Sequence, residues 1–334
     1  MIKNLIVTLA TFLIMFAALE VLTRYTVTVR NVGPSFTTYD EQLGKVHKQN
    51  ARIVRRTPEF TMAFTTDADG FRRQATAVET SDRSVLFIGD SFTEGYGVND
   101  GEEFPALIEH AFASQAPACH IRVVNAGVGD TGTGYELKML RRVEQRVSPS
   151  AVVLQFHRND FDDNLREKFF ELDSGKLIER DHAPAGRVLR VLQSIIERSS
   201  WLSESYLIAA MKQAAEVISK KQVVSAVSDG GDAAWQEHRE QLTIRLVREL
   251  VAEAQKGGRD AIFLGIGWDD PRLMGRLDRE VRSLGADVVW VPSRATADRL
   301  YYRIDGHWNS KGHQYVADLL VPKLAASLGC QTPR

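Results

Sequence analysis

The sequence predicts an α/β fold built on a parallel sheet, and three observations carry that reading. Short, predominantly apolar runs of four to six residues recur at Val85–Ile88, Ile121–Val124, Ala151–Phe156, Ala261–Ile266 and Val288–Val291. They are too short for helices and lack the alternation of half-exposed strands, as expected of strands buried on both faces. Stretches of helical spacing separate them, the βαβ pattern. The first three runs end in polar or glycine-rich turns, and in such sheets the ligand crevice lies beyond the carboxyl ends of the strands.

At 334 residues the chain has room for one large α/β domain or two modest ones. A formal net charge of −1, with no basic stripe interleaved with aromatics, excludes the nucleic-acid-binding class. The two cysteines, Cys119 and Cys330, are too few for a metal cage or a disulfide framework. They are expected as buried thiols, which an oxidising compartment would pair if the fold brought them together.

The N-terminus departs from this average. Between Leu5 and Leu22 only Glu20 is charged, and this run of 18 residues is just long enough to cross a bilayer core. Ala17 and Ala18 lie inside the run with no small-x-small site beyond it, so residues 1–24 read as an uncleaved anchor rather than a signal peptide. Lys3 on one side and Arg24 and Arg30 on the other leave its orientation open. Glu20 sits near one end of the span, where it can reach the interface. Residues 25–82 read as a linker and small β-rich cap, broken by Pro34, Gly44 and Pro58, with Phe60–Thr65 alternating like a strand. The Asp69-Gly70 turn is expected to place Phe71 and Arg72 against the main domain.

The main domain is expected over 83–330. Its first strand runs into Gly89-Asp90-Ser91, which puts a serine hydroxyl at the crevice mouth, although Gly-Asp-Ser alone also fits a helix cap. A helix over Glu102–Ala113 leads to the second strand and the loop Asn125–Gly134. That loop holds four glycines but neither G-x-G-x-x-G nor Gly-Lys-Ser, so nucleotide binding is not read from it. A helix over Glu136–Val147 precedes the third strand, which delivers His157-Arg158-Asn159-Asp160. The Asn159 amide is of the kind that donates to a developing oxyanion, though alone it also fits an Asx-turn. The acidic run Asp160, Asp162 and Asp163 reads as a solvated turn rather than a metal site.

Residues 163–240 form a helical insertion, expected over the crevice. It comprises an amphipathic stretch from Val188 to Ile196 and a flexible loop over Ser225–Asp232. Its Trp201 and Tyr206, with Trp235, are of a type that stacks on sugar rings but more commonly packs in a core. Beyond the helix Leu242–Gln255 and the last two strands comes Asp305-Gly306-His307-Trp308, before a terminal helix carrying Val316, Leu320 and Leu324. A carboxylate two residues from an imidazole can hold one ring nitrogen while the other faces a hydroxyl, as general-base activation of serine requires. His313 is expected to serve packing or capping.

Taken in chain order, Gly89-Asp90-Ser91, the glycine loop after Asn125, Asn159-Asp160 and Asp305-Gly306-His307 resemble the four blocks of the SGNH (GDSL-like) hydrolases. The resemblance covers Val85 to the C-terminus. It implies a flavodoxin-like three-layer α/β/α fold and a triad of Ser91 (nucleophile), His307 (general base and acid) and Asp305 (its orienting carboxylate). It also implies an oxyanion hole of the Ser91 N–H, the Gly129 N–H and Asn159, with no cofactor and no metal. The usual Gly-x-Asn-Asp is replaced by His157-Arg158-Asn159-Asp160, and the second-block donor falls among Gly127, Gly129 and Asp130. Asp-x-His-Trp is similar to a membrane-anchored subgroup and to alginate-acetylating relatives, which implies a catalytic domain outside the cytoplasmic membrane. The activity implied is a serine esterase acting on an O-acyl group of a cell-envelope glycan or lipid. An O-acyltransferase with the same triad is the alternative within the family, and an anchored, non-catalytic glycan-binding scaffold is the alternative of another class.

Overall fold

The computed structural model describes residues 2–29, 32–73, 83–115, 119–181, 191, 194–196, 199–228 and 233–331. Helix α1 (Ile2–Thr26) is long and apolar enough to cross a membrane, with mean hydropathy 2.5. Two antiparallel hairpins follow, β1 (Thr37–Asp40) with β2 (Gly44–His47), and β3 (Arg52–Arg56) with β4 (Thr61–Thr65). After them come β5 (Ser84–Ile88), the single turn α2 (Ser91–Glu94), α3 (Phe104–Gln115), β6 (Arg122–Asn125), α4 (Thr133–Glu144), β7 (Ala151–Phe156) and α5 (Asp160–Glu167). A hairpin of β8 (Phe170–Asp173) and β9 (Lys176–Glu179) leads toward α6 (Ser200–Ser203), α7 (Tyr206–Ser228) and α8 (Ala233–Ala254). The chain closes with β10 (Asp260–Ile266), α9 (Pro271–Ser283), β11 (Asp287–Val291) and α10 (Ser310–Ser327).

The five apolar runs form one parallel sheet in the order β6-β5-β7-β10-β11. By position in the sheet this is the flavodoxin-like order 2-1-3-4-5, whose switch point lies between β5 and β7. Val85, Leu86, Phe87 and Ile88 are completely buried, because helices cover both faces. Burying each such side chain contributes roughly 1.5–3 kcal/mol, which is why the run carries no polar residue. Leu86 and Ile88 face the layer of α4, α8 and α9, whereas Val85 and Phe87 face α3 and α10.

The cap segment is built into this domain. Asp67 accepts the Asp69 and Phe71 N–H groups, closing the expected turn, with Gly70 at φ +86° where a side chain would be strained. Arg72 then enters the interior, only 2% exposed, and its guanidinium donates to the carbonyls of Glu94, Gly95 and Val98.

Several expectations are corrected. Cys119 and Cys330 are not free thiols but a disulfide, with Cα atoms 5.9 Å apart, because the end of α10 folds back beside the entry to β6. The acidic run is not a solvated turn. It opens α5, with Asp160 and Asp163 buried and only Asp162 exposed. Ser225–Ser228 continue α7 rather than forming a loop, since the residues before them favour helix and the first glycine comes at Gly230. Gly230 and Gly231, like Val188, Leu189 and Leu192 of the amphipathic stretch, lie outside the described residues. Trp201 is exposed rather than in a core.

The disulfide joins positions 211 residues apart and fastens α10, the helix that follows the Asp305–His307 block, to the sheet. Closing so long a loop is expected to contribute about 2–4 kcal/mol. In urea titrations under oxidising conditions, Cys330→Ser should lose that amount. Dithiothreitol should lower the parent to the same level and leave the variant unmoved.

Candidate active site

The site is assembled from the ends of β5 and β7 at the switch point and from the loop before α10. Gly89 is required where β5 ends, since a Cβ there would lie 2.5 Å from Gln155 Oε1 and 2.3 Å from Thr93 Oγ1. Gln155 Oε1 instead accepts the Asp90 N–H at 3.0 Å. Asp90 caps α2 by accepting the Phe92 N–H at 2.9 Å. The sharp turn leaves Ser91 as the first residue of α2, where its N–H has no intrahelical acceptor.

Ser91 Oγ lies 2.6 Å from His307 Nε2, and His307 Nδ1 lies 2.5 Å from Asp305 Oδ1. The ring of His307 stands 5.0 Å from Phe92 and 4.9 Å from Tyr96, centroid to centroid, so apolar walls hold its plane. Trp308 is wholly buried against Phe92 and anchors the block from below. His313 lies in α10, and its Nδ1 accepts the Phe104 N–H that begins α3. Burial pushes its pKa down to about 3, so it is a neutral capping residue.

Of the oxyanion donors implied by resemblance, the structure brings all three residues to the site but engages two of them elsewhere. Gly129 N–H donates to Glu94 Oε1 at 3.1 Å, and a Cβ on Gly129 would come within 3.4 Å of Ser91 Cβ. Asn159 Nδ2 donates to Asp163 Oδ2 at 2.7 Å and to Asp90 Oδ2 at 3.2 Å. Its Oδ1 is held by His157 Nδ1. His157, standing where glycine is usual, therefore fixes the orientation of the amide. Burial is the largest influence on the His157 ring and keeps its pKa below the ordinary imidazole value.

A family model for GDSL-like lipases and acylhydrolases matches residues 87–315, which include all of these blocks. The chain belongs to this family. The GDSL-like domain makes it an ester-hydrolysing enzyme. No curated protein matches it. Similar solved structures include TesA, 14% identical over 73% of this chain and 99% of that one with a TM-score of 0.43. Another is the psychrotrophic esterase EstA from Pseudoalteromonas sp., at 13%, 74%, 100% and 0.43 in the same terms. A third is a catalytic mutant of Axe2, an acetylxylan esterase from Geobacillus stearothermophilus, at 16%, 76%, 97% and 0.40.

Sequence reasoning missed the residues that tie the cap to this GDSL-like site. Lys45 and His47 alternate on β2 and so share a face. Lys45 Nζ donates to the Gly129 and Asp130 carbonyls at 2.7 and 2.6 Å, and His47 Nε2 lies 2.6 Å from Glu94 Oε1. Burial alone would raise the Glu94 pKa, but the His47 hydrogen bond and charge, the Gly129 N–H and the Arg72 charge hold it below the usual value. On the other side, Glu59 Oε2 accepts the Ile304 and Asp305 N–H groups, both at 2.7 Å. Nothing local marks these residues, because the partners of Lys45 and Glu59 lie 84 to 246 residues away.

Behind Asn159 lies a set of acids, Glu136, Asp160 and Asp163 buried and Glu167 nearly so. Burial, followed by the charges of neighbouring carboxylates, raises Glu136 and Asp160 well above the ordinary range. Burial likewise raises Asp163 to about 6 despite Arg166, and Glu167 to about 8 despite Lys45 and Arg166. A carboxyl that the fold keeps protonated stabilises the native state below its unfolded pKa, and that contribution fades as pH rises toward the folded pKa.

Two outcomes follow. His47→Ala, which leaves the Glu94 carboxylate buried without its imidazole, should cost about 3–5 kcal/mol in urea titrations. Between pH 5 and 8 the parent should lose stability relative to Glu167→Gln, by at most about 1.4 kcal/mol per pH unit.

Proposed function

We propose that this enzyme is a serine esterase that removes an O-acyl group from a cell-envelope glycan or lipid through an acyl-enzyme on Ser91. The observation that carries this reading is the continuous chain from Ser91 Oγ to His307 Nε2 at 2.6 Å and from His307 Nδ1 to Asp305 at 2.5 Å. In it the Ser91 hydroxyl donates to Nε2, and the Nδ1–H donates to the carboxylate. As Ser91 Oγ bonds to the ester carbonyl carbon, its proton passes to His307 Nε2, and Asp305 stabilises the imidazolium. Collapse of the tetrahedral intermediate breaks the bond to the alcohol oxygen, which leaves with the proton from His307. Water then attacks the acyl-enzyme with His307 as base, and the acid departs.

The negative charge on the carbonyl oxygen is assigned to the Ser91 N–H, the Asn159 amide and the Gly129 N–H. The first has no intrahelical acceptor, and the other two exchange a carboxylate partner for the oxyanion as it forms. Charge on an oxyanion in a water-poor site competes well with a carboxylate that retains other donors. Asp90 keeps the Phe92 N–H and Glu94 keeps His47 after such an exchange.

The enzyme is further read as membrane-anchored through α1, with residues 25–82 as a cap and 83–330 as the catalytic domain outside the cytoplasmic membrane. The Cys119–Cys330 disulfide favours that side, since such bonds persist in oxidising compartments. Retention of α1 is favoured by the contacts of Glu20 with the start of α7.

The test is hydrolysis of p-nitrophenyl acetate by the detergent-solubilised full chain. Ser91→Ala should abolish turnover and labelling by a fluorophosphonate probe, and Asn159→Ala should lower kcat about 10²–10³-fold, the usual cost of losing one oxyanion donor. Turnover that survives Ser91→Ala would overturn the serine mechanism. Absence of both turnover and labelling in the parent would leave the non-catalytic scaffold.

A further inference from the structure

We propose that α6 and the first turn of α7 lie in the membrane interface beside α1, with the Trp201 ring in contact with lipid. The proposal rests on the reading of α1 as a retained anchor.

Three sets of contacts fix the level of this segment along α1. Glu20, the one charged residue of the apolar run, accepts from Ser205 Oγ at 2.6 Å, Tyr206 N–H at 2.7 Å and Leu207 N–H at 3.0 Å. Farther along, Gln213 Nε2 donates to the Thr28 carbonyl, and between them the Arg24 guanidinium lies 5.3 Å from the centre of the Tyr206 ring. The order of contacts means that α7 runs parallel to α1, with its N-terminus pointing back toward the apolar run. Trp201 precedes that N-terminus and meets Phe16 edge-on, with ring centroids 5.8 Å apart.

Phe16 lies about 9 Å before Leu22, the end of the apolar run, at 1.5 Å of rise per residue. A bilayer that accepts α1 over that run therefore reaches the level of Trp201. The indole is 61% exposed, and Val191 and Ile195 on the chain leading into α6 are exposed as well. An amphipathic ring with one polar N–H is the side chain most at home at the boundary of headgroups and acyl chains.

The same geometry accounts for the acid in the span. A carboxylate among apolar residues is costly unless it is paired. Glu20 has three donors and the positive end of a 23-residue helix dipole, so its charge is met within the protein. Continuity with α1 at this depth selects lipid as the occupant of the exposed face.

The full chain is to be reconstituted into phosphatidylcholine vesicles whose acyl chains are brominated near the headgroup, beside unbrominated controls. Among the other four tryptophans, Trp308 is buried, Trp268 and Trp290 pack against the core, and Trp235 is half-buried beside Arg239, so the difference that Trp201→Phe removes is the one read. The parent should show lower emission in brominated vesicles, and Trp201→Phe should remove most of the difference. An undiminished difference in the variant, or a Trp201 emission quenched by aqueous iodide, would overturn the contact. Emission reached by neither quencher would assign the face to protein and overturn it too. Carbonate extraction separates the two readings. Retention in the membrane without Trp201 quenching keeps the anchor and rejects this contact, whereas release into the supernatant rejects both.

Discussion

A carboxylate shut away from water, three residues beyond Ser91, governs how the chain is arranged around the site. Glu94 ends the single turn that Ser91 begins, and at that position no solvent can stabilise its charge. Its partners must therefore come from the protein. The second-block loop supplies the Gly129 N–H, the cap supplies His47, and Arg72 adds its charge. Because each partner arrives from a different part of the chain, satisfying one charge draws the cap, the glycine loop and the nucleophile turn into one body. An unpaired buried charge costs several kcal/mol, so this convergence is a condition for folding as much as for catalysis.

The opposite flank follows the same logic with weaker interactions. Glu59 binds two backbone N–H groups just ahead of His307, and Phe60 stacks near Tyr302, whose hydroxyl reaches the Gly97 carbonyl. The Ser91–His307 contact joins residues 216 positions apart. Loops alone would hold such a contact loosely. Here the cap grips the nucleophile side through Lys45, His47 and Arg72 and the histidine side through Glu59, and the disulfide secures the helix that follows. Rigid support from outside the sheet is what keeps reacting groups within hydrogen-bond distance.

What the sequence disclosed divides along the range of the interactions. The five strands were legible because burial on both faces leaves a continuous apolar run, a local signature. The meeting of Ser91, Asp305 and His307 was legible because strand–turn–helix and Asp-x-His are also local, and the turn that sends Arg72 inward announced itself in Asp69-Gly70. The pairing of Cys119 with Cys330, the burial of Asp160, the engagement of Gly129 and the Asn159 contact with Asp90 depend on partners distant in sequence. Asp160 is an instructive case. Three acids within four residues look like a solvated face, but Thr133 from α4 donates to Asp160, and Arg166 pairs with Asp163. The first of these contacts leaves no trace in the spacing, and the second is legible only once the segment is known to be helical.

The same long-range contacts bear on where the enzyme works. No more than about 20 Å of chain separates Thr26, at the end of α1, from Val32, which bridges Arg56 of β3. β3 pairs with β4, and the turn between them carries Glu59, whose carboxylate holds the backbone ahead of His307. The path from α1 to Asp305 and His307 thus contains one short connection and otherwise hydrogen-bonded structure. The contact of Glu20 with α7 shortens the free part further by fixing a second element of the catalytic body to α1. An enzyme tethered by a long flexible linker samples a deep layer above the membrane, whereas with α1 as the proposed anchor this one would have little freedom to move away from it. On the proposed reading of α1 as an anchor, its esters come to the membrane surface, which favours substrates that are themselves embedded there or held close to it.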